Sequence, residues 1–209
     1  MTENEKKIKS TVAKKLNYLS SLPETACRAQ LAELRRGIGR IPGDIPALWD
    51  VVFADLPEEY YSKNGEPTAA EWAIYLALTM FACHQQGHDF KSEWMHVENI
   101  SFGKAVGRLA LKNIEGNPEQ KNDAIKRISN RFNRIATAAD MSELSYHLRN
   151  MITLLRAEDI GLDYAALAED LYWYQFQNAR TKVRLRWGED FWRTVEPPKN
   201  DKNKNNEQE

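Results

Sequence analysis

At 209 residues and 42% hydrophobic, the chain is long enough to bury a core, as one large domain or two small ones, and too apolar for a disordered polymer. Its net charge of −1, from 29 Lys and Arg against 30 Asp and Glu, excludes a partner chosen by bulk charge. The distribution is uneven: residues 41–101 carry ten acids against two bases, and residues 102–134 carry eight bases against three acids. Cys27 and Cys83 sit inside apolar helical patterns, as buried thiols of a reducing cytoplasm do, and not at disulfide-framework spacing. No apolar stretch is long enough to span a bilayer and MTENEKKIKS lacks a leader's apolar run, so a cytoplasmic protein with no membrane partner is expected.

Apolar residues recur at helical spacing almost throughout, as in Ile8, Val12, Leu16 and Leu19, and strands of period two are missing. The spacing predicts helices over residues 3–20, 24–36, 45–54, 68–86, 102–112, 118–136, 141–157, 163–172 and 178–193. The fold class expected is therefore all-α, a bundle of about nine helices, as one unit or as two small helical subdomains. The first helix ends before Pro23, and the second runs into Leu34-Arg-Arg-Gly-Ile-Gly-Arg40, where Gly37 and Gly39 end it in a left-handed turn with Arg35, Arg36 and Arg40 at its carbonyl end. That turn is either a charged cap serving the helix dipole or a surface that faces an anion. Gly87 to Ile100 reads as a loop or domain junction, dividing an N-terminal helical region, 1–100, from a C-terminal one, 101–196; a split there or near Asn117 would give two helical bundles. Asp140-Met-Ser-Glu143 has the form of a capping box and Asp163 is placed to cap the helix after it. Residues 197–209 contain no hydrophobic side chain and read as a disordered polar tail.

Chemistry-bearing motifs are few. His84 and His88 sit four apart with Cys83, Asp89 and His96 nearby, but a hydrolytic zinc helix needs a carboxylate beside the first histidine, and Gln85 stands there. A packing role is the better reading of both histidines, and a metal-dependent hydrolase is the weaker alternative. There is no G-x-S-x-G elbow, Walker loop or Cys-x-x-Cys pair. Gly103-Lys-Ala-Val-Gly107 lacks the strand and the Lys-Ser/Thr of a phosphate loop; two glycines four apart instead let another backbone approach closely. The chain is expected to be no enzyme, with no catalytic residue, no metal and no cofactor.

Positive charge, by contrast, is organised. Lys104, Arg108 and Lys112 form one stripe at i, i+4 and i+8, and Arg127, Arg131 and Arg134 form a second along the next helix. Two such stripes on consecutive helices can make one groove for a phosphate backbone, extended by Arg149 and Arg156, while Arg180, Arg184 and Arg186 make another cluster. The competing reading is solvated cations, or cations paired with acids of a neighbouring copy in a purely structural oligomerisation module that touches no nucleic acid. Tyr172-Trp173-Tyr174 with Phe176, and Trp187 with Phe191 and Trp192, are dense enough for base stacking, yet their helical spacing, notably Trp187 and Phe191 at i and i+4, favours a buried core or subunit contact. Backbone binding thus fits better than base reading.

The ordered blocks resemble one family. LRRGIGRIPGDIPALW from Leu34 to Trp49, Leu78 to Gly87, and Ile100-Ser-Phe-Gly103 with Ala105 are similar to the CasB family, the small subunit of the type I-E CRISPR Cascade. Later blocks that match are Arg131-Phe-Asn-Arg134, His147-Leu-Arg149, Leu162-Asp-Tyr164 and Val183-Arg-Leu-Arg-Trp187, so that the resemblance covers roughly residues 10–193. It implies a helical, non-catalytic subunit in an antiviral guide-RNA complex, placed beside a second copy of itself and other Cascade subunits. Its implied ligands are guide RNA, target DNA and the displaced non-target strand, whose retention stabilises the R-loop. Arg35, Arg36, Arg40, Arg131, Arg134 and Arg149 lie in matching blocks; Lys104, Arg108, Lys112 and Arg127 rest on the stripe pattern alone.

Overall fold

The computed structural model describes residues 3–112 and 121–197 and has, among them, nine α-helices and no strand. The all-α expectation holds. In chain order the helices are α1 (Glu3–Ser21), α2 (Glu24–Arg36), α3 (Trp49–Phe53), α4 (Ala69–His84), α5 (Phe102–Lys112), α6 (Lys121–Ala136), α7 (Met141–Ala157), α8 (Tyr164–Tyr174) and α9 (Gln177–Val195). No helix of the described residues is long and apolar enough to cross a membrane. The polar tail expected from Pro197 lies outside the described residues from 198 onward, as do residues 118–120 of the sixth predicted helix.

Helix α4 is the axis. Every side chain from Ala73 to His84 is buried, as a helix apolar on all sides must be. Helices α1, α2, α3, α7 and α8 pack on it, while α5 packs on α6 and α9, and α6 on α7. The buried apolar residues form one cluster that runs from Ile8 to Val195. Cys27 and Cys83 are both buried free thiols.

The helix ends follow local chemistry. Thr68 accepts from the Glu71 amide at 3.1 Å while Glu71 accepts from the Thr68 amide at 2.7 Å, a full capping box that starts α4. At α7, Asp140 caps the Glu143 amide at 2.8 Å, but Glu143 reaches one residue further back, to the Ala139 amide at 2.7 Å. Asp163 caps α8 through the Ala166 amide at 2.8 Å. The single helix expected over 45–54 is instead a 3₁₀ turn, Pro46–Leu48, leading into the short α3. Pro46 pre-sets that turn but can donate no backbone hydrogen bond.

Helix α5 lies close against α9, and glycine permits it. A Cβ on Gly103 would stand 2.3 Å from the Trp187 carbonyl oxygen, and one on Gly107 would stand 2.7 Å from the Thr194 Cβ. The reading of these glycines as a backbone contact is borne out, with α9 as the partner.

Residues 87–100 are tied down despite their lack of helix. The buried Gln85 amide donates to the Glu93 carbonyl and accepts from the Met95 amide, each at 2.9 Å. His96 bridges to Leu162, and its Nδ1 accepts from the Tyr164 amide at 3.1 Å. His84 lies within the core with Nδ1 2.8 Å from the Tyr164 hydroxyl, and His88 Nδ1 is 3.7 Å from both Glu93 and Asp159. Among the described residues, no group of three or more His, Cys, Asp or Glu is placed to hold a metal.

Burial, reinforced by neighbouring His88, pushes the His84 pKa down to about 3 from an ordinary 6.5. The folded protein therefore resists a proton that the unfolded chain takes up below about pH 6.5. Stability is intact above that pH and falls as pH descends toward 3, by about 1.4 kcal/mol per unit. Urea unfolding should show the protein about 2 kcal/mol less stable at pH 5.0 than at pH 7.5. His84→Asn should remove most of that difference, the rest belonging to His96, whose pKa burial also lowers against the opposing pull of Asp163. An unchanged pH slope in the variant would show that protonation of His84 is not what the acid limb reports.

Candidate nucleic-acid interface

Helix α6 buries Ala124, Ile125, Ile128, Phe132 and Ile135. Arg127, Arg131 and Arg134 each precede one of these core residues by a single position. At 3.6 residues per turn they stand about 100° round the helix from it, on an exposed flank. Helix α7 packs beside that flank, burying Leu144, Leu148, Ile152 and Leu155 and leaving Tyr146, Arg149, Asn150 and Thr153 exposed.

Two clefts result. Arg131 and Arg134 line one of about 350 Å³ together with His147, Asn150, Met151 and Thr153 of α7. Arg127, Asn130, Arg131 and Arg134 line a shallower one of about 310 Å³ beside it. On the other side of α7, Arg149 and Arg40 meet across a third cleft of about 270 Å³, which also takes in Ile38, Ile41, Trp72 and Tyr146. No carboxylate lines any of the three. Among the described residues, Arg40, Arg127, Arg131, Arg134 and Arg149 are in no ion pair with an acid. The contrast is a cleft of about 550 Å³ between α1 and α3, where Lys7, Lys14 and Lys15 face Asp50 and Asp55.

The loop after α2 is what brings Arg40 to α7. Gly37 packs so closely under Tyr75, Leu48 and Thr79 that a Cβ there would lie 2.7 to 3.0 Å from them, and the Tyr75 hydroxyl donates to the Gly37 carbonyl at 2.8 Å. Gly39 then takes a left-handed φ of 77° and turns the chain so that Arg40 and Ile41 project outward. Arg35 and Arg36 do not join them. Arg35 is half-buried and donates to the Ala82 carbonyl at 3.4 Å, and Arg36 pairs with Glu33 at 2.7 Å.

The α5 stripe also stays apart from the α6 stripe. Lys104, Arg108 and Lys112 are exposed on the outer face of α5, but none lines the α6–α7 clefts. Lys112 donates to the Glu158 carbonyl at 2.8 Å, at the far end of α7. Arg156 fastens α7 to the end of α4 through Gln86 at 3.0 Å. Arg180 and Arg184 lie over the Tyr174 ring, and Arg186 donates to buried Asp170. Burial pushes the Asp170 carboxyl up, against the pull of Arg186 and of the Trp187 indole that donates to it at 2.6 Å. Of the aromatic residues, Tyr174, Trp187 and Phe191 are core, with Tyr174 and Trp187 stacked and their centroids 5.9 Å apart, while Tyr172 and Trp173 are half-buried and Phe176 and Trp192 exposed. Sequence reasoning missed His147, Asn150, Thr153 and Tyr146 as companions of the arginines; the period of α7, which buries the alternate flank, was the signal for three of them.

The model of the family CRISPR-associated protein Cse2 matches residues 30–192. This chain belongs to the Cse2 family. Family membership, which bears out the resemblance to CasB, makes it a CasB-type subunit of the type I-E Cascade. The crystal structure of CasB from Thermobifida fusca is similar with a TM-score of 0.68 and 28% identity, over 88% of this chain and 97% of that one. The crystal structure of M. ruber CasB is similar at 20% identity, with a TM-score of 0.59 over 90% of this chain and 94% of that one, a likeness of fold. A comparison with the curated proteins finds no match. In the Cse2 chain, then, Arg40, Arg131 and Arg149, which lie far apart in sequence, converge around α7.

Proposed function

We propose that this Cse2-family chain is a non-catalytic Cascade subunit that binds nucleic acid through the arginine clefts on the two sides of α7. There it holds the displaced non-target strand and stabilises the R-loop. One observation carries the reading: five arginines from three parts of the chain line adjoining clefts that no carboxylate lines. Like charges so placed repel one another slightly in the free protein, and a polyanion relieves that repulsion while releasing its own counterions. Asn150 adds an amide donor that can reach phosphate or sugar oxygens. The exchange of a DNA duplex for a guide-bearing heteroduplex is close to energetic balance, so modest affinity for the freed strand is enough to tip it. A complex that holds the subunit near the strand raises the effective concentration and lets weak contacts suffice.

The expected signature is a log-linear loss of single-strand affinity with salt for the full chain. Arg127→Ala and Arg149→Ala should each flatten that line by roughly 0.7 in slope, the share of one phosphate contact on a single strand. Fluorescence anisotropy across a salt series measures this. Slopes that match wild type in both variants would remove these arginines from the interface and favour the purely structural module.

A further inference from the structure

The geometry points to the cleft between Arg40 and Arg149 as a pocket for one unstacked base of a single-stranded nucleic acid, with Tyr146 as its stacking platform. The inference rests on the proposed nucleic-acid role and adds base contact to what is otherwise backbone contact. Tyr146 is 65% exposed, the highest exposure of any large hydrophobic side chain among the described residues, although α7 around it is well packed. Its ring borders a cleft whose other sides are Trp72 and Ile41, the latter 51% exposed. The ring meets the His147 ring edge-on, with centroids 5.3 Å apart, and is otherwise left in water, because the core of α7 is already filled by residues on its opposite flank.

Size and charge narrow the occupant. At about 270 Å³ the cleft falls just below the ~300 to 1,000 Å³ of pockets for drug-sized molecules, which leaves room for a single flat ring system. Arg40 on one wall and Arg149 on the other can take the phosphates that flank such a base, and no acid lines the cleft to oppose them. Ser142 and Ser145 supply small polar groups without a fixed pattern, which suits a platform that accepts any base. Arg149 is followed by Asn150, which lines the Arg131 and Arg134 cleft, so a strand can pass from one cleft to the other across α7. Duplex bases are already stacked and cannot enter; single strands can.

The test compares the full chain's affinity for a single-stranded oligodeoxynucleotide, for the same strand made abasic, and for the matching RNA. Wild type should prefer base-bearing strands over the abasic one by about 5- to 150-fold, the range of one base stacked on an aromatic ring. Tyr146→Ala should lose that preference, and Tyr146→Phe should keep it. Because Tyr146 is exposed, an unchanged melting temperature verifies that the alanine variant is folded. A larger Tyr146-dependent gain for RNA than for DNA, or the reverse, supports the platform and identifies the strand it serves. Equal affinity of wild type for abasic and base-bearing strands overturns the platform but leaves the arginine interface standing. Absence of binding to every strand, in wild type as in the variants, overturns both.

Discussion

A Cascade reconstituted with the Arg131→Glu/Arg134→Glu subunit should assemble normally and yet lose its R-loop about as fast as a complex that lacks the subunit. Both arginines sit on the exposed flank of α6, one helical step from Phe132 and Ile135, so the substitutions leave the packed face untouched. Neither is in an ion pair with an acid among the described residues, so no internal pair is broken. What changes is the cleft with α7, which passes from two cations to two anions facing a phosphate backbone. Like charges set against each other cost several kcal/mol, on the order of a hundredfold or more in affinity. R-loop lifetime by gel shift or single-molecule rotation, with subunit stoichiometry checked in the same preparation, measures the effect. An R-loop as long-lived as that of wild type would place the binding surface elsewhere.

The largest effect on folding should come from Gly103→Val. The first side-chain atom alone would stand 2.3 Å from the Trp187 carbonyl oxygen and 3.0 Å from the Asp190 Cβ. A side-chain tip can swing away from such a clash, but a helix carbonyl cannot, so α5 and α9 would have to separate along their whole contact. Overpacking a tight core ordinarily costs 1–3 kcal/mol. Here the separation also loosens Phe102, Phe132 and Trp187, whose rings lie edge-on or tilted with centroids 5.3 to 6.2 Å apart. A loss of at least about 3 kcal/mol is expected, against which the better helix propensity of valine over glycine returns less than about 1 kcal/mol. Chemical denaturation measures it, and Gly188→Ala on the same α9 serves as the control, since nothing lies within 4 Å of a Cβ there. Similar stability for Gly103→Val and Gly188→Ala would mean that the α5–α9 contact yields easily.

Much of the fold was legible because its signals are local. The bounds of α2 and α7 match the spacing of apolar residues to the residue, with Pro23, Gly37 and Asp140 marking ends. Residues 45–54 misled because a proline-led 3₁₀ turn and a short helix share the helical spacing of apolar side chains. The box at Thr68 and Glu71 was readable by the same rule applied at Asp140 and Glu143, and marks where α4 starts. Helix α8 runs on to Tyr174 because that ring is buried against Trp187, a long-range contact that no local signal announces.

The arginines divide the same way. Periodicity alone sets Arg127, Arg131 and Arg134 on one flank of α6, and Lys104, Arg108 and Lys112 on one flank of α5, since side-chain direction along a helix follows from 3.6 residues per turn. Which neighbour each flank meets depends on how the helices pack, and packing is set by the shapes of many distant side chains at once. So tertiary structure alone decided that the α6 arginines face α7 and not the α5 lysines. It also consigned Arg35, Arg180 and Arg186 to partners elsewhere in the chain. And it set Arg40, carried by a loop that Gly37 and Tyr75 hold down, across from Tyr146 and Arg149, more than a hundred residues away in sequence.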